Sequence, residues 1–261
     1  MTAANAAAQS PDISANELVR KTVEHELAAA EKPAHWMYLS QKMDGTKTVV
    51  RQVVQTNEII LERKVAENGA ALTTAARAKE DERIARLLSD PYSVQRLKKQ
   101  QQDDKEKARK MLELLPRAFL YEYAGLEGDL VRLTFKPNPA FTPPTREARV
   151  FHSMEGEMWV HADQRRLAKL AGSLTQEVNF GWGLLGHLEK GGRFEVVQSE
   201  VAPRIWEMTS LLVDMRGRAL IFASINTQER ESMSQFERIP DALTAAQAAD
   251  LLRRKDYLAR N

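Results

Sequence analysis

Residues 148–178 read ARVFHSMEGEMWVHADQRRLAKLAGSLTQEV. Val150, Met154, Met158 and Val160 recur at even spacings while Glu155 and Glu157 fall between them and His161 follows, the period-two alternation of a strand with one buried face. Ala162-Asp163 marks a turn, and QRRLAKLAGSLTQEV (164–178) resumes as a second strand. So short a connection leaves no room for a crossover helix, so the two strands must run antiparallel. Working outward, the same pattern precedes the pair in FLYEYAGLEG (119–128) and DLVRLTFKP (129–137). It follows in GRFEVVQSEVA (192–202), RIWEMTSLLVDM (204–215) and GRALIFASINTQERESMSQFERI (217–239). Trp206, Met208 and Leu212 repeat the one-sided spacing, as do Leu220 and Phe222. Turn residues at Glu127-Gly128, Pro203 and Arg216-Gly217 separate the runs, and KPNPAFTPPTRE (136–147) reads as a proline-rich loop.

Toward the N-terminus the pattern changes twice. Ser14 with Glu17 three residues on is a capping signal, and Leu18, Val23 and Leu27 follow among charges, so 14–30 reads as an amphipathic helix ended by Pro33. Between 35 and 66, strand-like runs flank Asp44-Gly45, a strong short-range hairpin signal. Residues 69–117 read as two helices divided by Pro91 and ended by Pro116. The stretch 98–110 alternates in sign, which suits a solvated helix face with i,i+4 pairs better than a nucleic-acid arm. The fold class these signals predict is α+β: a strongly curved antiparallel β-sheet of about ten strands, a half-barrel, wrapped around the helical insertion, with an N-terminal helix. The expected organisation is a flexible segment over 1–12, a single domain over 13–240 with the insertion at about 70–116, and a C-terminal helix or loosely attached tail over 241–261.

Composition excludes several classes of function. With 38 basic and 36 acidic residues the net charge is +2, so no global field favours nucleic acid. The chain has no cysteine, which removes thiolate nucleophiles, disulfides and cysteine metal sites. No apolar run reaches the roughly 18 residues of a membrane span. Residues 1–11, MTAANAAAQSP, read as the stretch following a cleaved signal peptide with a start methionine added, or equally as a disordered tail. Localisation in the periplasm or cell envelope is the expectation.

Catalytic motifs do not emerge. Gly181, Gly183 and Gly186 formally match G-x-G-x-x-G, but Glu189-Lys190-Gly191-Gly192 follows too soon for the helix that a dinucleotide site needs. The segment reads instead as a hairpin tip carrying Phe180, Trp182, Leu184 and Leu185, either exposed to a partner or folded back over the sheet. His25, His35, His152, His161 and His187 show no metal-ligand spacing; His152 and His161, nine apart, fall on opposite faces of an unbulged strand. No G-x-S-x-G is present, and Glu155 with Glu157 suits a solvated face. No catalytic residue, metal or cofactor is therefore expected.

Several pieces together resemble a known family. These are the helical insertion ending LLPRAF (114–119), the Y-x-Y strand, PNPAFTPPTREARV, EGEMWVHADQRRLAKL and the NFGWGLLGHLEKGGRFEV hairpin. Over about residues 30–240 they resemble a family of exported bacterial envelope proteins of unassigned function, of the kind common in Acidobacteria. The plan is similar to the lipoprotein-carrier (LolA/LolB-like) fold. That resemblance implies an incomplete barrel whose helices cover an apolar cavity able to receive acyl chains, and it assigns a role to no individual residue. The expected function is a non-enzymatic envelope protein binding a lipid or a lipidated protein, its cavity lined by Trp36, Tyr38, Met154, Met158, Trp206, Met208 and Phe222. The alternative is a scaffold or interaction protein with a filled core and no ligand.

Overall fold

A computed structural model of the chain describes residues 13–180, 186–219 and 227–254. The first helix, α1 (Ala15–Glu31), starts where Ser14 Oγ accepts the Glu17 N–H at 3.2 Å. The Glu17 carboxylate does not complete a capping box; it pairs with Arg20 and Lys21. β1 (Trp36–Asp44) and β2 (Lys47–Gln55) form the expected hairpin, with Gly45 at φ +56° supplying the left-handed turn position. β3 (Ile60–Glu67) and β4 (Ala70–Ala71) follow. Thr73 caps α2 (Thr74–Ser89), and Asp90 accepts the Tyr92 and Ser93 N–H groups at the start of α3 (Pro91–Ala118). Pro91 sits at the first helical position, where a missing N–H costs nothing.

Pro116 was expected to end this helix, but the helix continues to Ala118. Leu114, Leu115 and Ala118 are buried, and packing of that last turn outweighs the one helical hydrogen bond that proline removes.

β5 (Phe119–Glu127) and β6 (Leu130–Pro137) make a hairpin around Gly128 at φ +61°. The expected strand from Ala148 requires correction: Glu147–Ser153 is a 3-10 helix, and β7 (Met154–His161) begins only at Met154. The helix starts where Thr145 Oγ1 accepts the Ala148 N–H, and Ala148 and Phe151 then plug into the core. Val150 therefore does not share a strand face with Met154, and the opposite-face argument for His152 and His161 lapses. His152 packs against Phe141 at a ring separation of 5.9 Å, while His161 Nδ1 accepts the Gln164 N–H.

The remaining strands are β8 (Leu167–Leu174), β9 (Val178–Phe180), β10 (Gly186–Leu188), β11 (Arg193–Ala202), β12 (Ile205–Met215), β13 (Gly217–Ala219) and β14 (Thr227–Arg238). The last helix, α4 (Ala245–Arg254), is docked rather than a loose tail, because Ala248, Ala249 and Leu252 are fully buried.

Eleven strands form one antiparallel sheet in the order β4-β3-β2-β1-β14-β12-β11-β8-β7-β6-β5, and it does not close into a barrel. β9, β10 and β13 form a separate three-stranded sheet. Open edges are templates for association, and amide side chains bind outer backbone groups of the edge strand β5 and of β3, which the two-residue β4 covers only at Ala66 and Glu67. On β5, Asn16 Oδ1 accepts the Tyr121 N–H at 3.1 Å and its Nδ2 donates to the Phe119 carbonyl at 3.0 Å. On β3, Gln101 Oε1 accepts the Ile60 N–H at 2.9 Å and its Nε2 donates to the Ile60 carbonyl at 3.0 Å. Arg83 donates to the Glu62 carbonyl and Glu80 accepts the Lys64 N–H further along the same edge.

The expected single domain over 13–240 contains two compact units, interleaved in sequence. The first comprises the described residues of Met1–Glu31, Met111–Ser199 and Asp214–Asn226; the second those of Lys32–Lys110, Glu200–Val213 and Thr227–Asn261. In the first, Leu18, Val19 and Val23 of α1 and Leu114 and Leu115 of α3 cover Leu133, Phe135 and Met158 of the sheet. Glu26 fastens α1 to β8. It accepts a bidentate pair from Arg166 (2.7 and 3.0 Å), the Leu167 N–H (2.9 Å) and the Gln198 amide (3.3 Å). In the second unit, Ile84 of α2 and Ala248, Ala249 and Leu252 of α4 pack on Met37, Leu39, Val54 and Leu61. Arg63 of β3 reaches Asp81 of α2 at 2.7 Å. The middle of α3 carries solvated pairs, Lys110 with Glu106 at the expected i,i+4 spacing and Lys107 with Asp104 and Arg109 with Glu106 at i,i+3.

Candidate ligand site

In the first unit the helix-facing side of the sheet leaves a hollow of about 220 Å³. Its inner end is an aromatic cluster. Phe119 packs against Phe135 and Phe151 at ring separations of 4.7 and 5.2 Å, and all three rings are buried. Leu115 and Tyr121 extend this wall, while Met111 and Leu112 of α3, Leu170 of β8 and Phe194 of β11 are half-buried and form the mouth. Met154 completes the lining.

Local sequence explains why the space exists. Alternation places Phe119 and Tyr121 on one face of β5 and Phe135 on the same face of β6. Gly156 and Gly172 face one another across β7 and β8. A Cβ on Gly172 would lie 2.7 Å from the Phe194 ring, and one on Gly156 would lie 2.0 Å from the Ala171 carbonyl. Gly172 thus leaves room beside the sheet for the Phe194 ring, which a larger residue would push away, while Gly156 lets the β7 and β8 backbones approach closely.

The walls are chemically uniform. Their one hydroxyl, on Tyr121, donates to the Leu115 carbonyl at 3.1 Å, and burial raises that phenol well above its ordinary value of 10. A ligand group entering here meets carbon and methionine sulfur, with dispersion and loss of water contact as the available forces.

The second unit has a different concavity, a groove of about 540 Å³ between β3 and the helices α2 and α3. Arg51, Glu62, Lys64, Glu80 and Arg83 line it over an apolar floor of Leu61 and Ile84. These charged groups already serve one another and the β3 edge: Arg83 binds Glu80, Arg51 pairs with Glu62, and Lys64 with Glu67.

The structure distributes the sequence-predicted cavity residues between the units. Met154 lines the apolar hollow, and Met158 beside it is 1% exposed within the same core. Trp36 belongs to the second unit, where its Nε1 donates to Glu207 at 2.7 Å and its ring meets Phe236 edge-on at 6.0 Å. Tyr38 stacks on Phe236 at 5.0 Å, and its phenol is raised above its ordinary value chiefly by burial, then by Glu231 and Glu62. Trp206 is half-buried and Met208 is 38% exposed. Phe222, Trp182, Leu184, Leu185 and the side chain of Phe180 lie outside the described residues. Among the described residues no three His, Asp or Glu side chains are placed to hold a metal ion, and no helix is long and apolar enough to cross a membrane.

Apart from Met154, the lining was missed by sequence reasoning: Met111, Leu112 and Leu115 on α3, and Phe119, Tyr121, Phe135, Phe151, Leu170 and Phe194. The available signal was the density of same-face aromatics in FLYEY and LTF, which period-two spacing alone assigns to ordinary core. No protein-family model matches the chain, and no curated protein matches it.

Proposed function

We propose that this chain is a non-enzymatic binding protein that takes the hydrocarbon part of a lipid or lipidated protein into the hollow of its first unit. One observation carries the reading: α3 borders that space with Met111, Leu112 and Leu115 and leaves about 220 Å³ of it open. Burial of apolar surface contributes about 0.8 kcal/mol per methylene, so a greasy recess suffices for binding without polar chemistry. A pocket without convergent polar groups suits a carrier better than a catalyst. The proposal includes residence in the periplasm or cell envelope, which rests on the family resemblance and is tested by fractionating cells that express the full-length protein.

Native mass spectrometry and solvent extraction of protein purified without detergent test the ligand. Co-purifying amphiphile, displaced by an environment-sensitive fluorescent probe, is the expected result. Protein that carries no extractable lipid and gives no probe signal overturns the proposal. The competing reading, an interaction protein with a filled core, draws on the second unit, where Ile84, Ala248 and Leu252 are buried against the sheet. Capture of a partner by protein that fails to bind any probe favours it.

A further inference from the structure

The hollow's dimensions and chemistry narrow the ligand class. We infer that it admits one unbranched hydrocarbon chain, methyl end first, to a depth of about nine carbons, and that Phe151 sets that depth; this rests on the binding reading above. An apolar cavity of about 150 Å³ holds a benzene ring, and scaling its six carbons to about 220 Å³ gives that depth. Drug-sized pockets run from about 300 to 1,000 Å³, so the space is too small for the paired tails of a diacyl lipid.

Polarity sets the orientation. The inner end is closed by the buried rings of Phe119, Phe135 and Phe151, and the one hydroxyl in the wall is already committed to the Leu115 carbonyl. A carboxylate or phosphate carried inward would lose its water and find no donor, so the headgroup stays at the mouth beside Met111, Leu112, Leu170 and Phe194. Methionine at both mouth and wall adapts to a flexible chain at little cost. The ligand is accordingly a single-chain amphiphile, selected by chain length and nearly indifferent to headgroup.

The test measures dissociation constants of the full-length protein for straight-chain carboxylates and alkyl trimethylammonium ions from about six to about sixteen carbons, below micelle formation. Affinity is expected to tighten about fourfold per methylene and to level off near nine carbons, alike for both headgroups. Phe151→Ala extends the inner end and should move the plateau about four carbons longer. Leu170→Trp, at the half-buried mouth, should shorten it, and this variant decides alone if circular dichroism shows that Phe151→Ala does not fold. Affinity that rises unbroken to sixteen carbons, equal binding of a two-chain lipid, or preference for a fused aromatic ring overturns this inference and leaves the binding proposal standing. Absence of binding at every length overturns both.

Discussion

At position 26 a carboxylate lies 8% exposed and accepts four hydrogen bonds, two of them from Arg166. Breaking one side of such a pair strands a buried charge, which costs about 3–5 kcal/mol, while replacing both partners with apolar groups is far milder. Glu26→Ala should therefore lower stability by about 3 kcal/mol in urea unfolding, and Glu26→Ala with Arg166→Met should cost less than Glu26→Ala alone. A second residue reports on pH. The hydrogen bond from His35 (3.1 Å), with the Arg238 charge beside it, holds the Asp241 carboxyl below its ordinary value of 3.8. A depressed carboxylate contributes stability that is present above the ordinary value and lost as pH falls through the lowered one. The melting-temperature gap between wild type and Asp241→Asn should thus be full near pH 6 and close in strong acid. A gap that persists there refutes the assignment.

Among elements, the two sheet edges carry the clearest design. Asn16 and Gln101 each present an amide that both donates and accepts, so the Phe119 carbonyl and Tyr121 N–H of β5 and the N–H and carbonyl of Ile60 in β3 are satisfied without a neighbouring chain. Asn16→Ala leaves the Phe119 carbonyl and the Tyr121 N–H without that partner and should cost about 1–3 kcal/mol. Either Asn16→Ala or Gln101→Leu should also increase concentration-dependent association in sedimentation velocity over that of the wild type. Unchanged sedimentation in both variants would show that the amides stabilise locally without guarding the edges. The same scale shows how much of the site could be read in advance. Residues 119–137 announced two strands and their buried face, yet nothing in FLYEY says that Tyr121 meets a helix while its neighbour Phe119 closes a hollow. Residues 148–153 misled for a related reason. Val150 lies at even spacing from Met154 and Met158, as a strand residue would, and the burial of Ala148 and Phe151 that favours a 3-10 turn depends on partners distant in sequence.

For the molecule as a whole, interleaving of the units has consequences. The first unit draws α1 from one end of the chain and its strands from the middle, so the fragment 111–199 lacks Leu18, Val19 and Val23 and should not fold alone; a cooperative thermal transition in it would refute this. Ligand binding stabilises the state that binds, by about 2.7 kcal/mol at a hundredfold excess over the dissociation constant. Amide exchange should therefore slow in the peptides of β5, β6 and β7, and much less in β2 and β3, when a chain-length-matched amphiphile is added. Equal protection in both sets would place the ligand elsewhere.

Some of this was determined by residue order alone. Alternation, turn residues, helix caps and the short connections decided that the chain is α+β with a large antiparallel sheet, an N-terminal helix and a long charged helical insertion, because each of those signals acts over a few residues. Where the empty space lies was decided only in three dimensions. A cavity is the difference between the volume enclosed by distant segments and the volume their side chains fill, and Met111, Phe151, Leu170 and Phe194 acquire that relation only once α3, the 3-10 helix and two strands have packed together.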